Sequence, residues 1–393
     1  MRAPKRRSAL WVPLAALLAA VTTVVWQPQP QVAQAATLPT PPLPSLGSLP
    51  SLGSLPSLGS LPSLGSLPSL GSLPSLGNLT DLLGIDFSNI FGGLFGGGLG
   101  GGVTKNFSGS FTNSAGTRSY QGYVPSTYKA GTPVPLVVVL HGCTESAADI
   151  RSLTQFDKLA EANNFIVVYP EQPQSANYLH CWNWFLPTDM QRGSGEPSII
   201  AGITQWAQQH YSIDTKRTFV TGFSAGAAMA AVMGATYPDL FGAIGVGSGL
   251  QYGGSYVDPV KAGEQAYRAM GTQARVVPAL IFHGSSDNTV PVANADQLIR
   301  QWQTTADWAD DGSSNSSIPA APVTTRSGQV PNGHSYTVRD YVDSHGKELA
   351  QYWLVQDMAH AWSGGCTCAQ YADPQGPDES RAMYDFFVSH PKP

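Results

Sequence analysis

Charge is scarce in this sequence: Asp, Glu, Lys and Arg make up 12% of its 393 residues, against roughly 25% in an average soluble domain. So thin a supply excludes a coiled coil, a long helical repeat and a charged solvated tail. Basic clusters are lacking as well. Beyond Arg2, Lys5, Arg6 and Arg7 there is no run of Lys or Arg, and the net charge is -5, which excludes nucleic acid as a partner. Cysteine is limited to four, an even number that leaves three pairings in an exported protein. Two residue types are abundant instead: 42 glycines and 31 prolines fill close to a fifth of the chain. Because 42% of the residues are apolar and 10% aromatic, enough for a core, the glycines and prolines must be concentrated in particular segments.

The amino-terminal third holds many of them. After its basic start comes an uncharged apolar run from Leu10 to Trp26, then a polar stretch ending Val32-Ala33-Gln34-Ala35-Ala36. This order, closed by an A-x-A site, reads as a secretory signal over residues 1–36; the run contains Pro13 and falls short of the ~20 residues of a spanning helix. Residues 37–102 read as a linker. Within it a P-S-L-G-S-L hexad recurs at Pro44, Pro50, Pro56, Pro62, Pro68 and Pro74 and runs out at Leu79. Proline every sixth residue blocks a helix, and Leu is the only apolar side chain, so residues 44–79 are expected to be disordered. Two roles stay open: a spacer ahead of the enzyme, or a Leu-studded stalk that touches the cell envelope or a hydrophobic polymer. Residues 92–102 form a Gly-rich joint with no strand before it and no helix after it, which excludes a phosphate loop.

From Val103 the texture changes, and residues 103–393 read as a single catalytic domain. Leu136 to Leu140 (LVVVL) and Phe165 to Tyr169 (FIVVY) are short unbroken apolar runs, expected for buried parallel strands. Between them Ser146 to Ala162 carries helical spacing. The alternation continues with a helix near Pro197 to His210, a strand at Arg217 to Thr221, a helix from Ala225 to about Ala235 and a strand at Gly242 to Val246. Further strands are expected at Val277 to Phe282 and Gln351 to Val355, and a closing helix near Asp378 to Val388. Such alternation predicts an α/β fold, a mostly parallel central sheet with helices on both faces, whose ligands collect at the carboxyl ends of the strands.

The chemistry-bearing residues cluster at those ends. Gly222-Phe223-Ser224-Ala225-Gly226 joins a strand to a small-residue helix, the strand-turn-helix context in which G-x-S-x-G presents a nucleophilic serine. A serine on so sharp a turn needs neighbours without a Cβ, and the Ala225 amide at the helix N-terminus can donate to an oxyanion. Serine requires a base held by a carboxylate, in the chain order Ser, acid, His. Asp287 follows the VPALIF strand, whereas Asp258, Asp307, Asp310 and Asp311 lie in surface loop or helix ends. His360 follows the last strand, whereas His334 and His345 flank polar turns, His210 ends a helix and His390 is near the terminus. The loop after LVVVL, His141-Gly142-Cys143-Thr144, supplies a second oxyanion donor in the Cys143 amide. Of the three cysteine pairings, Cys143 with Cys181 and Cys366 with Cys368 ranks first.

The segments HGCTE, VVYPEQ, CWNWF, RGSGEP, GFSAGAAMA, YPDLFGAIGVGSG, HGSSDNTV and HAWSGG resemble, in order, those of the poly(3-hydroxybutyrate) depolymerase family of secreted esterases, relatives of feruloyl and acetylxylan esterases. The resemblance runs from about Gly116 to Phe387. It implies an α/β-hydrolase fold, Ser224 as nucleophile, Asp287 as acid, His360 as base, Cys143 and Ala225 as oxyanion donors, and Trp182, Trp184 and Trp362 lining the acyl cleft. It implies an ester substrate, either a polyester such as poly(3-hydroxybutyrate) or its oligomers, or a feruloyl or acetyl ester of plant polysaccharide. A serine triad needs no metal and no cofactor, and a monomer is expected. A peptidase and an inactive envelope adhesin are the alternatives from other classes. Many polymer-degrading members carry a carboxyl-terminal binding domain; here the additional sequence is the amino-terminal hexad array.

Overall fold

Strands β1 (Asn106–Asn113) and β2 (Gly116–Tyr123) open the computed structural model, which describes residues 106–393. The expected signal at 1–36 and the linker at 37–102 with its hexads lie outside the described residues. The β1–β2 hairpin is antiparallel and forms one edge of a ten-stranded sheet. Strand β3 (Val134–Leu140) is buried at every residue. Helices α1 (Ala147–Thr154) and α2 (Phe156–Asn163) lead to β4 (Ile166–Pro170), and α3 (Gly195–His210) to β5 (Ile213–Gly222). Then come α4 (Ala225–Thr236), β6 (Ile244–Gly247), α5 (Pro259–Met270), β7 (Ala279–Gly284) and α6 (Ala293–Asp311). Strands β8 (Thr324–Gln329), β9 (Ser335–Val342) and β10 (Glu348–Val355) follow, then the short pair β11 (Trp362–Ser363) and β12 (Ala372–Asp373), and α7 (Glu379–Ser389).

The sheet order is β1-β2-β4-β3-β5-β6-β7-β10-β9-β8. Neighbours from β4 to β10 run parallel, with antiparallel pairs at both edges. Successive β3 residues face opposite ways. Val138 and Leu140 join the core under α4, α5 and α6, while Val137 and Val139 join the core under α1, α2 and α7. A strand buried on both faces has no polar alternation, which is why its sequence reads as one apolar run.

The chain leaves β3 toward β4 on one side and resumes through β5 on the other, so a topological switch point lies between β3 and β5. A crevice opens at the carboxyl ends of strands at such a point. The loops with HGC and GFSAG both emerge there. Helix α4, AGAAMAAVMGAT, is buried along its whole length; its small side chains let it press against the sheet directly behind Ser224.

Several expectations are corrected. The helical spacing from Ser146 to Ala162 is two helices, because Gln155 takes a left-handed conformation at φ 53 and breaks the run. The β1–β2 and β8–β9 hairpins were not anticipated: their strands lie at the sheet edges, and their polar, half-exposed residues give no apolar signal. His334 is not solvated. It is partly buried, with Nε2 3.0 Å from the Asp373 carboxylate.

Candidate active site

Ser224 sits between β5 and α4 with φ 54 and ψ -118, a conformation that L residues adopt only when the surroundings enforce it. Hydrogen bonds do so here. The Ser224 N–H donates to Gly247 O at 2.9 Å, that of Gly226 to Phe223 O at 2.8 Å, and that of Phe223 to Leu140 O at 3.1 Å. A Cβ on Gly226 would collide with the backbone oxygens of Leu140 and His141, and one on Gly222 would stand 2.6 Å from Leu140 O. The two glycines thus let the turn lie against the end of β3. Strain gathers along this whole edge: among the described residues with positive φ other than glycine, Thr144, His180, Ser224, Ser248 and Asp357 all lie in loops leaving the carboxyl ends of the sheet.

Asp287 and His360 meet above the ends of β7 and β10. His360 Nδ1 donates to Asp287 Oδ2 at 2.7 Å, and the Asp287 carboxylate is fully buried. Its other oxygen accepts the amides of Thr289 at 2.9 Å and Val290 at 2.8 Å, so both carboxylate oxygens are engaged and the group is fixed in plane. The imidazole of His360 lies over Phe223, centroid to centroid 4.8 Å, which carries it to the residue adjoining Ser224. Tyr371 stands edge-on to the same imidazole at 6.3 Å and packs on Phe223 at 5.7 Å, so the three rings form one cluster. All three residues expected at the site are therefore on neighbouring loops of one edge.

The loop after β3 is tied down at every residue. Gly142 O accepts from His141 Nδ1 at 2.8 Å, and His141 Nε2 accepts the Gln172 amide at 2.9 Å, which fixes a neutral tautomer. Burial lowers the His141 pKa to about 4. The Gly142 N–H donates to Glu145 Oε2 at 2.7 Å, and burial raises that carboxyl to about 7. Because Gly142 O and the Cys143 N–H belong to one trans peptide plane, holding the carbonyl turns the amide the opposite way. Cys143 is bonded to Cys181, and Cys366 to Cys368; the Thr144 amide reaches Leu179 O at 2.6 Å. The Cys181 loop rests in turn on a buried polar cluster. Gln172 donates to Cys181 O at 3.0 Å and to Glu196, and Glu196 is paired with Arg118 at 3.3 Å. Ala225 supplies the first amide of α4, where no intrahelical acceptor exists.

The tryptophans depart from expectation. Trp362 has no exposed surface; it packs edge-on to Phe156 and its indole donates to Ser380 at 3.0 Å. Trp182 is equally buried, against the His141 ring at 5.6 Å. Neither lines an open cleft: both are core residues that back the loops bearing His360 and Cys143. Trp184, 7% exposed, is the one of the three that retains surface. Sequence reasoning assigned no role to His141, Glu145, Gln172 and His283. Their common feature is burial of a polar side chain within the quoted segments, where internal pairing makes burial tolerable. Among the described residues no cluster of ligand-type side chains could hold a metal ion.

A sheet of this order, with a strained serine turn between the strand and helix behind its switch point, is the α/β-hydrolase fold. An acetyl xylan esterase from Aspergillus awamori matches it with a TM-score of 0.53 at 24% identity, over 65% of this chain and 94% of its own. The chain belongs to the esterase PHB depolymerase family, whose model matches residues 118–317. It is 35% identical over 213 residues to poly(3-hydroxyalkanoate) depolymerase C of Paucimonas lemoignei, covering 49% of this chain and 50% of that one. Acetylxylan esterase A of Talaromyces purpureogenus is 32% identical over 213 residues, with 48% and 54% covered. The chain spans about half the length of the curated relatives it matches.

Proposed function

We propose that this protein is an exported serine esterase that cleaves poly(3-hydroxybutyrate), its oligomers and related short hydroxyacyl esters. The observation that carries the reading is the 2.7 Å contact of His360 with Asp287, beside the strained turn of Ser224. Ser224 Oγ attacks the ester carbonyl while His360 Nε2 takes its proton, and Asp287 holds the imidazolium that forms. The amides of Cys143 and Ala225 receive the oxyanion. Collapse expels the alcohol, which takes the proton back from His360, and leaves an acyl group on Ser224. Water, deprotonated by His360, then attacks this ester; the carboxylic acid departs and Ser224 regains its proton. These steps require no metal or organic cofactor.

Export is supported by the signal-like order of residues 1–36 in the sequence and by two disulfides, which persist in oxidising compartments. Among the described residues no helix is long and apolar enough to cross a membrane. The segment at 44–79 is read as a spacer ahead of the enzyme, and contact with the envelope or a hydrophobic polymer is its second reading. Acetylxylan or feruloyl ester cleavage is the second reading, favoured by the likeness to acetylxylan esterases. A panel of nitrophenyl butyrate, hydroxybutyrate oligomers, polymer film, acetylated xylan and methyl ferulate separates the two. Release of hydroxybutyrate supports the first, and faster turnover of acetylxylan or ferulate overturns it. An inactive adhesin predicts no turnover of any member. Ser224→Ala should lower turnover by several orders of magnitude with the fold intact.

A further inference from the structure

We propose that His283 is a positioning residue of the acid arm, a second imidazole that shares the Asp287 carboxylate with His360. The inference rests on the Ser224 reading above. His283 lies near the end of β7, four residues ahead of Asp287, and is paired in register with Leu354 of β10. Its ring has no exposed surface. Nε2 lies 2.8 Å from Val290 O and 3.5 Å from Asp287 Oδ2. A carbonyl can only accept, so Nε2 carries the proton and donates it to Val290 O, with Asp287 Oδ2 standing 3.5 Å from the same nitrogen as an electrostatic neighbour. Nδ1 is buried without a hydrogen-bond partner; a proton there would be an unsatisfied buried donor, so this nitrogen stays bare. His283 is thus a neutral, single-donor imidazole. Burial lowers its affinity for a second proton, and the ionisable groups facing it are Asp287, His360 and Asp296.

This donor completes a ring of contacts. The Val290 amide donates to Asp287 Oδ1 at 2.8 Å, the Val290 carbonyl accepts the His283 N–H, and the ring nitrogen stands 3.5 Å from Asp287 Oδ2. The 287–290 turn is thereby held to β7 through its backbone, and the carboxylate is held in the plane that His360 meets. The His283 dipole also tempers the charge on Oδ2. Without it, Asp287 would grip the imidazolium more strongly, and the base would stay protonated to higher pH. A side chain that only filled volume would do neither.

The test uses the full chain as wild type, His283→Phe, His283→Gln and Ser224→Ala, with kcat and KM for nitrophenyl butyrate between about pH 5 and 9. His283→Phe is expected to lower kcat about ten-fold with little change in KM, and to move the acid limb of kcat/KM upward by about half a pH unit. His283→Gln, whose amide nitrogen reaches the place of Nε2, should return the limb to its wild-type position. Superimposable acid limbs for wild type and His283→Phe, or no recovery in His283→Gln, overturn the proposal. If the Phe variant does not fold, histidine nitrogen resonances of the wild type decide: His283 must remain a neutral Nε2–H tautomer throughout, and protonation at Nδ1 overturns the assignment. Full turnover by Ser224→Ala strikes the serine reading itself. A dead Ser224→Ala beside an unmoved His283→Phe limb strikes the His283 proposal alone.

Discussion

Replacing Gly222 with alanine adds one methyl group, and the structure leaves it no room. The new Cβ would stand 2.5 Å from the carbonyl carbon of Gly226, 2.6 Å from its oxygen and 2.6 Å from Leu140 O. All three are backbone atoms, so no side chain can swing aside. An ordinary contact lies near 3.4 Å, and reaching it requires a movement of nearly 1 Å shared among the end of β5, the first turn of α4 and the end of β3. Overpacking of this kind costs about 1–3 kcal/mol and leaves a folded protein. The same movement displaces Ser224 and the Ala225 amide relative to Cys143. A misplacement of about 1 Å at reacting groups is worth on the order of 100-fold in rate. The assay is kcat on nitrophenyl butyrate, normalised to folded protein by circular dichroism and thermal melting. A folded Gly222→Ala variant within about three-fold of wild-type kcat would refute the reasoning.

Two buried groups in the loop after β3 give opposing pH dependences. Glu145, raised from 4.5 to about 7, contributes stability in full at low pH and loses it as pH climbs to about 7. His141, lowered from 6.5 to about 4, contributes stability above 6.5 and loses it as pH falls to about 4. Glu145→Gln removes the first slope, so the urea midpoint should rise steadily with pH across about 4 to 6.5; a profile identical to wild type contradicts this. Replacing Cys143 and Cys181 together by serine opens a loop of 38 residues' separation, which is expected to lower stability by up to about 4 kcal/mol and to reduce kcat more than it raises KM. An unchanged denaturation midpoint would count against the disulfide as a clamp. Deleting residues 44–79 should leave soluble-ester turnover alone and weaken adsorption to hydrophobic particles; unaltered adsorption leaves that segment as a spacer only.

The inner strands were legible in the sequence because burial on both faces writes itself as LVVVL, FIVVY and VPALIF. The strained serine turn was legible because its geometry tolerates glycine at 222 and 226 and little else. Edge strands were not: β1 and β8 expose alternate polar residues that a loop could equally carry. The break at Gln155 left no mark, since the spacing of Ile150, Leu153, Phe156 and Leu159 suits one helix or two. At the site, chain order picked out Asp287 and His360, which the structure brings into contact. The residues that hold them were hidden. His141 and His283 matter through what surrounds them, and a one-dimensional pattern does not record that Gly142 O, Gln172 and Val290 converge on their ring nitrogens. The tryptophans mislead for the converse reason: Trp182 and Trp362 adjoin the active loops in sequence, yet their rings point into the core.

The claim on which the rest depends is that Ser224 becomes covalently acylated. Wild-type protein mixed with nitrophenyl butyrate, quenched in acid during the first turnovers and digested, should yield the peptide spanning Ser224 with one butyryl group attached, and His360→Ala should accumulate far less of it. A butyryl group on another residue, or steady ester hydrolysis by a Ser224→Ala protein, would contradict the mechanism.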